Sequence, residues 1–148
     1  MVVYTEIEIE VPPAVAREAF FNFPAIPNYH TAFLTQITPK NPSKQGPPEV
    51  GDILTVTAGG MTFSPVVEVS SSEEFTWRGT LGSTWIFSGA HSFKFLPVDG
   101  STQKTRLVHS EEFQGALVPL FGLIGGGSTG KNFQKFNEDF KTYVEARK

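Results

Sequence analysis

The order of periodic segments predicts an α+β domain, in which a curved antiparallel sheet of about seven strands wraps a long C-terminal helix and two short helices follow the first strand. Three observations carry that expectation. Strand-type alternation fills residues 2–11 and most of 52–114. Pro24 and Pro27, three apart, break the segment between. From Phe133 the period changes to that of a helix, with Phe133, Phe136, Phe140, Tyr143 and Val144 on one stripe. An aromatic stripe of that size must cover something, and a sheet curved around it leaves a cavity between sheet and helix.

Along residues 2–11, Val3, Ile7, Ile9 and Val11 alternate with Tyr4, Glu6, Glu8 and Glu10, an edge strand with an acidic outer face. Pro12 and Pro13 end it and open a short helix over Ala14–Asn22, with Val15, Ala19, Phe20 and Phe23 as inward candidates. The proline pair that follows reads as a break and a second short helix, Thr31–Thr38 as a strand, and 39–48 as an exposed loop rich in Pro, Lys, Ser and Gly. A meander of strands then runs through Asp52–Ala58, a Gly59-Gly60 turn, Met61–Val69 with Pro65 marking an edge or bulge, and Glu74–Leu81. In the last of these Phe75, Trp77, Gly79 and Leu81 form the inward set.

Composition narrows the function. A chain of 148 residues is one domain (1–148) by length. The lack of cysteine removes disulfides, thiolate catalysis and Cys-based zinc sites, and no metal or cofactor is called for. A net charge of -3, with 12 Lys and Arg spread without a basic cluster, argues against nucleic acid as a partner. No apolar run reaches the roughly 18 residues of a membrane span, and the chain opens on a strand without a basic leader, so a cytoplasmic protein is expected. Fourteen Phe against 2 Trp and 3 Tyr is an excess of bulky apolar surface, some of which would line the cavity.

The chemistry gathers on two long strands, Phe87–Phe95 and Thr105–Gln114, joined by a turn at Val98-Asp99-Gly100-Ser101. Odd positions of the first carry Phe87, His91, Phe93 and Phe95; odd positions of the second carry Leu107, His109, Glu111 and Phe113. Pairing about a turn centred near Gly100 sets His91 opposite His109, at about 5 Å between Cβ atoms, with Glu111 diagonal to His91. Three ionisable groups on a phenylalanine-lined face need partners, because a buried unpaired polar group costs about 1–3 kcal/mol. Two readings fit: a satisfied His–Glu network bracing the hairpin, or a polar cluster inside a ligand cavity. A bulge would put Glu112 in place of Glu111.

Gly125–Lys131 followed by Asn132 almost spells a phosphate-binding loop, but no buried parallel strand precedes it and Asn132 stands where a magnesium-binding Ser or Thr belongs. It reads better as a glycine hinge, with Ser128 or Asn132 capping the final helix and Gly125–Gly130 acting as a lid.

Phe23-Pro-Ala-Ile-Pro-Asn-Tyr29, Val50-Gly-Asp52, Phe75-Thr-Trp77-Arg78-Gly79, Gly89-Ala-His91-Ser-Phe93 and Ser110-Glu111-Glu112-Phe113-Gln-Gly115 resemble, in order and spacing, the SRPBCC (START/Bet v 1-like) superfamily, most nearly its polyketide cyclase/dehydrase-like branch. The resemblance covers nearly the whole chain, with Tyr29 where a tryptophan is common and the triple glycine as an insertion. It implies the helix-grip fold with a deep hydrophobic cavity, and a function between lipid or plant-hormone carrier and aromatase/cyclase. The leading expectation is a binder of a small hydrophobic or aromatic molecule such as a polyketide-like metabolite, sterol or fatty acid. Its expected contacts are Trp77, Phe75, Phe87, Phe93, Phe113, Tyr29, Phe133 and Phe136, with His91, His109 and Glu111 fixing a hydroxyl or carbonyl. The competing expectation is a cofactor-free enzyme for aldol-type cyclisation or dehydration, in which a histidine removes a proton alpha to a carbonyl and Glu111 orients it.

Overall fold

The structure, a computed structural model, is described for residues 1–120 and 126–147. In chain order the elements are β1 (Val2–Ile9), α1 (Pro13–Phe21), a single 3-10 turn (Phe23–Ala25), α2 (Ile26–Tyr29), β2 (Leu34–Pro39), β3 (Leu54–Ala58), β4 (Met61–Phe63), β5 (Val66–Ser70), β6 (Glu74–Leu81), β7 (Phe87–Val98), β8 (Ser101–Gln114) and α3 (Gly126–Glu145). The α+β architecture with a large antiparallel sheet and a long C-terminal helix is the expected one. Among the described residues the strands number eight, because the run Met61–Val69 is cut in two. Pro65 has no N–H to give a ladder; its carbonyl instead accepts from the Leu54 N–H at 2.9 Å.

That cut also divides the hydrogen bonding. A five-stranded sheet runs β1-β8-β7-β6-β5, and a separate three-stranded sheet runs β2-β3-β4. A bridge between Ile53 and Val66, with hydrogen bonds from Leu54 N–H to Pro65 O and from Val67 N–H to Asp52 O, ties one to the other. Gly59 and Gly60, at φ of 59° and 80°, make the tight β3–β4 turn that a side chain would disfavour. Leu81 does not join the inward set of β6: the strand runs past the core at that end and leaves the side chain 62% exposed. On α1 the buried places go to Ala16 and Phe20, whereas Val15 is exposed.

Helix α3 packs along β1 and β8 and touches α1 and α2. Phe133, Phe136, Phe140 and Val144 are buried as the stripe requires. Within the described residues the glycine run is helical rather than a break: Gly126–Gly130 form the first turns of α3, so Ser128 and Asn132 lie within the helix, while Gly125 is outside the described residues. Glycine weakens a helix by only about 1 kcal/mol per residue, which the packing of Phe133 outweighs.

Phe20 is the hub of the interior. Its ring lies 4.5 Å from that of Phe93 and 5.6–6.4 Å from those of Phe21, Phe23, Phe75, Phe95, Phe136 and Phe140. A side chain at 0% exposure with this many neighbours has no room to be replaced by collapse. Phe20→Ala is therefore expected to lower unfolding free energy by about 3–5 kcal/mol in denaturant titration; a loss below about 1 kcal/mol would mean that the ring is not part of a close-packed interior.

Candidate functional site

Strand alternation places the site side chains where expected: His91, Phe93 and Phe95 on β7 and Leu107, His109 and Phe113 on β8 are all buried. The register differs. His91 stands opposite Glu111, and Phe93 opposite His109, so the two histidines are diagonal neighbours. The cause is an irregularity beside the turn. Val98 pairs with Ser101 but Pro97 pairs with Thr105, which leaves Thr102, Gln103 and Lys104 without partners on β7 and slides the rest of β8. Alternation is otherwise preserved, and Glu111, not the exposed Glu112, points inward.

The three groups still meet. His91 Nδ1 lies 3.2 Å from Glu111 Oε1, and His91 Nε2 lies 2.7 Å from His109 Nε2. His109 Nδ1 lies 2.9 Å from Asn137 Oδ1 on α3. Asn137 Nδ2 donates to Thr5 Oγ1 at 2.9 Å, and Thr5 Oγ1 donates to the His109 carbonyl at 2.7 Å. One chain of polar contacts thus links β7, β8, α3 and β1 through the centre of the molecule.

The far end of this chain fixes its protons. A carbonyl only accepts, so Thr5 must give its hydrogen to His109 O and take one from the Asn137 amide. Asn137 then turns its carbonyl oxygen toward His109, whose Nδ1 must carry the hydrogen. Burial, and secondarily the nearby His91, hold the His109 pKa well below its ordinary 6.5, so this ring is neutral and its Nε2 is a bare acceptor. His91 therefore donates from Nε2. Its Nδ1 faces the Glu111 carboxylate at 3.2 Å. All four histidine nitrogens are engaged. Glu111 Oε2 has no partner among the described residues, and the Glu111 side chain keeps 17% exposure.

Aromatic rings enclose the pair. Trp77, opposite His91, stacks on it at 4.9 Å and 25°, and Phe133 lies on His109 at 4.1 Å and 8°. Phe93 stacks on both imidazoles. Phe87 and Phe113 stack on each other at 5.6 Å beyond Glu111. Across β6 and β7 the inward positions next along are Gly79 and Gly89, and a β-carbon on Gly89 would run into the Glu111 carboxylate. Of the expected ligand contacts, Phe75, Trp77, Phe93, Phe133 and Phe136 are closed to solvent at 0–1% exposure. They fill the space between sheet and helix by packing on one another. Tyr29 is not brought to the trio: it stacks on Tyr143 at 4.4 Å, with Phe136 between it and His109, and burial raises its pKa. An open groove of about 940 Å³ lies elsewhere, between α1, the 3-10 turn, β2 and the end of α3, and none of the expected site residues lines it.

Two residues of the network, and a buried histidine outside it, escaped the sequence reading. Thr5 is the one polar side chain among the inward positions Val3, Ile7 and Ile9, and Asn137 sits four residues after Phe133 on the aromatic stripe; both signals were present. His30 left none. It is buried, accepts the Phe33 N–H at Nε2 and donates from Nδ1 to Asp139 Oδ2 at 2.8 Å. Burial pushes the Asp139 carboxyl up, but hydrogen bonds from His30 and Lys135 outweigh it and hold the pKa below the usual range. Among the described residues no group of three His, Cys, Asp or Glu is placed to hold a metal ion, and no helix is long and apolar enough to cross a membrane.

A five-stranded antiparallel sheet laid on a long C-terminal helix, with two short helices after β1, defines a helix-grip protein of the Bet v 1-like class. The family described as polyketide cyclase/dehydrase and lipid transport matches residues 1–145. This chain belongs to that family, a branch of the SRPBCC superfamily. Solved structures agree on the fold. An aromatase/cyclase from Streptomyces has a TM-score of 0.72 at 11% identity, covering 99% of this chain and 94% of its own. Norcoclaurine synthase from Thalictrum flavum, in complex with dopamine and hydroxybenzaldehyde, has 0.70 at 11%, covering 100% and 88%. A hypothetical protein of Helicobacter pylori has 0.76 at 13%, covering 97% and 88%. No curated protein sequence matches.

The neutral His109 sets a pH dependence. Its pKa is depressed on folding, so the unfolded chain binds a proton that the folded one does not as pH falls below about 6.5. Its stabilising contribution is complete above that pH and is lost below it, by up to about 1.4 kcal/mol per pH unit. Chemical denaturation at pH 7.5, 6.5 and 5.5 should show this acid-side slope. A His109 ring that titrates near 6.5 in the folded protein, followed by NMR, would contradict the assignment.

Proposed function

We propose that the protein binds a small hydrophobic ligand, such as a polyketide-like metabolite or a fatty acid, at the Glu111 end of the interior rather than around the histidines. The observation that carries this reading is the unshared Oε2 of Glu111, a partly exposed carboxyl lying over Gly89 beside the stacked Phe87 and Phe113. A single polar contact in an apolar wall is what orients a ligand carbonyl or hydroxyl. Family membership supports the same class of role. The buried rings deeper in, Phe93 and Phe133 above all, set how far a ligand can enter without displacing them.

One observation favours a second reading, catalysis. His91 Nδ1 lies 3.2 Å from Glu111 Oε1, so a proton taken from a ligand at Oε2 has an alternate resting place on the ring. Glu111 would take the proton alpha to a carbonyl, the carbanion would attack a second carbonyl of the same chain to form the new carbon–carbon bond, and the proton would return to the resulting alkoxide. In that scheme the roles expected from sequence are exchanged: Glu111 touches the substrate, and His91, anchored on His109, positions it. The cyclase among the structural neighbours is consistent with this chemistry but is similar in fold alone.

Saturable binding of an apolar dye, displaced by fatty acids or aromatic polyketides, tests the first reading. Glu111→Gln should weaken the displacing ligand about 10- to 100-fold, the effect of losing a charge-assisted hydrogen bond of about 1.5–3 kcal/mol, while Arg106→Ala on the outer face leaves it unchanged. If the protein is an enzyme, Glu111→Gln abolishes turnover with the fold intact. A folded protein without saturable binding would remove both readings.

A further inference from the structure

The open groove of about 940 Å³ between α1, the 3-10 turn, β2 and the end of α3 has no part in the polar network or in the ligand contact at Glu111. Its volume falls within the roughly 300–1,000 Å³ of small-molecule sites. Its floor is apolar, made by Phe21 and by Phe23, Ile37 and Val144, the last three buried. Three charged side chains line it: Arg17 and Glu18 on α1, and Arg147 just past the end of α3.

Arg17 is held from two sides. Its Nε donates to the Ser71 carbonyl at 2.9 Å, and its guanidinium lies over the Phe21 ring, 4.6 Å from the centroid. Its two terminal nitrogens have no hydrogen-bond partner among the described residues. Arg147 is held in a similar way, over the Tyr143 ring at 5.2 Å with one terminal nitrogen donating to the Tyr143 hydroxyl. Arg78 elsewhere is matched to Glu68. Neither groove arginine pairs with a carboxylate among the described residues, in a chain that carries 15 Asp and Glu against 12 Lys and Arg. Glu18 is exposed and bonds to neither.

We propose that the groove is a second ligand site, separate from the Glu111 end, which takes an amphipathic organic monoanion: a carboxylate on Arg17 and an apolar chain or ring on Phe21, Phe23, Ile37 and Val144. The charges select that chemistry. A neutral apolar molecule would cover unpaired guanidinium nitrogens without satisfying them, at a cost in desolvation. A cation would meet two positive groups against one well-hydrated carboxylate. A carboxylate matches the planar fork of a guanidinium, and Arg17, already pinned to a ring and a carbonyl, loses little side-chain freedom in binding it. Glu18 limits the charge, since a phosphate dianion would be repelled more than a carboxylate. This inference goes beyond the reading of Glu111 and does not rest on it.

The test is an NMR titration of the full chain with octanoate and with 1-octanol, read at the amides of Ala19 and Thr38, which line the groove, so that binding at Glu111 does not enter. Octanoate is expected to shift both amides saturably and at least about tenfold more tightly than octanol, and to weaken as salt is added. Arg17→Gln should weaken octanoate at least about fivefold, with Arg17→Lys between it and wild type. Glu18→Gln should tighten it about twofold by removing a repulsion. Arg147→Gln, at an exposed position, should weaken it about twofold without changing the melting temperature, and carries the test if Arg17→Gln fails to fold. Glu111→Gln should leave these curves unchanged. No saturable shift, equal affinity for octanol, or octanoate binding indifferent to the arginine changes would each overturn the proposal. So would displacement by an equal concentration of inorganic phosphate, which would make the groove a site for small anions without an apolar part.

Discussion

Two identical nitrogen atoms 2.7 Å apart, His91 Nε2 and His109 Nε2, can hold one hydrogen between them and no more. Two hydrogens would clash and none would leave two lone pairs opposed. Everything else in the centre follows from the way that constraint is met. Asn137 and Thr5 settle His109 from behind, so that α3 and β1 together decide the state of a side chain on β8. His91 is settled in turn, with its Nδ1 turned to the Glu111 carboxylate. The polar thread is buried in rings, where the low dielectric strengthens satisfied hydrogen bonds and makes an unsatisfied one expensive.

The same thread explains the division of labour in the interior. Closed rings and fully engaged imidazoles make its deep part structural, since neither histidine offers a free nitrogen. Where the chain of contacts reaches Glu111, beside Gly89 and the Phe87–Phe113 pair, the carboxyl keeps 17% exposure. The phenylalanines of the described residues serve chiefly as filling, with Phe20 at the hub. The bracing network, one of the two readings the sequence offered, runs from Thr5 through His109 to His91, and the ligand contact proposed above lies at its Glu111 end.

Fold class, element order and the inward face of β7 and β8 were legible because each rests on a local period: alternation for His91, Phe93, His109 and Glu111, helical spacing for Phe133, Phe136 and Phe140. Register was not, because it depends on the three residues Thr102–Lys104 left unpaired beside the turn, and a polar run of Thr, Gln and Lys reads equally as strand. The split of the strands into two sheets followed from Pro65, whose presence was noticed but whose consequence is non-local. The glycines of 126–130 were read as a break from composition, whereas the cost of glycine in a helix is small enough for packing to override. Asn137 and Thr5 were visible as polar intruders on apolar faces; His30 was not, since its partner Asp139 lies 109 positions away.

The central claim is the distribution of hydrogens along the network, and nitrogen-15 NMR of the histidine side chains reads it directly. His109 should appear as a neutral ring protonated at Nδ1 throughout the neutral range, and His91 should carry a hydrogen at Nε2, with its Nδ1 signal moving in step with the Glu111 carboxyl carbon. Glu111→Gln should change the His91 Nδ1 signal and leave the His109 tautomer as it was. A His109 ring protonated at Nε2, or a Nδ1-only tautomer of His91, would reverse the direction of the network and contradict the account.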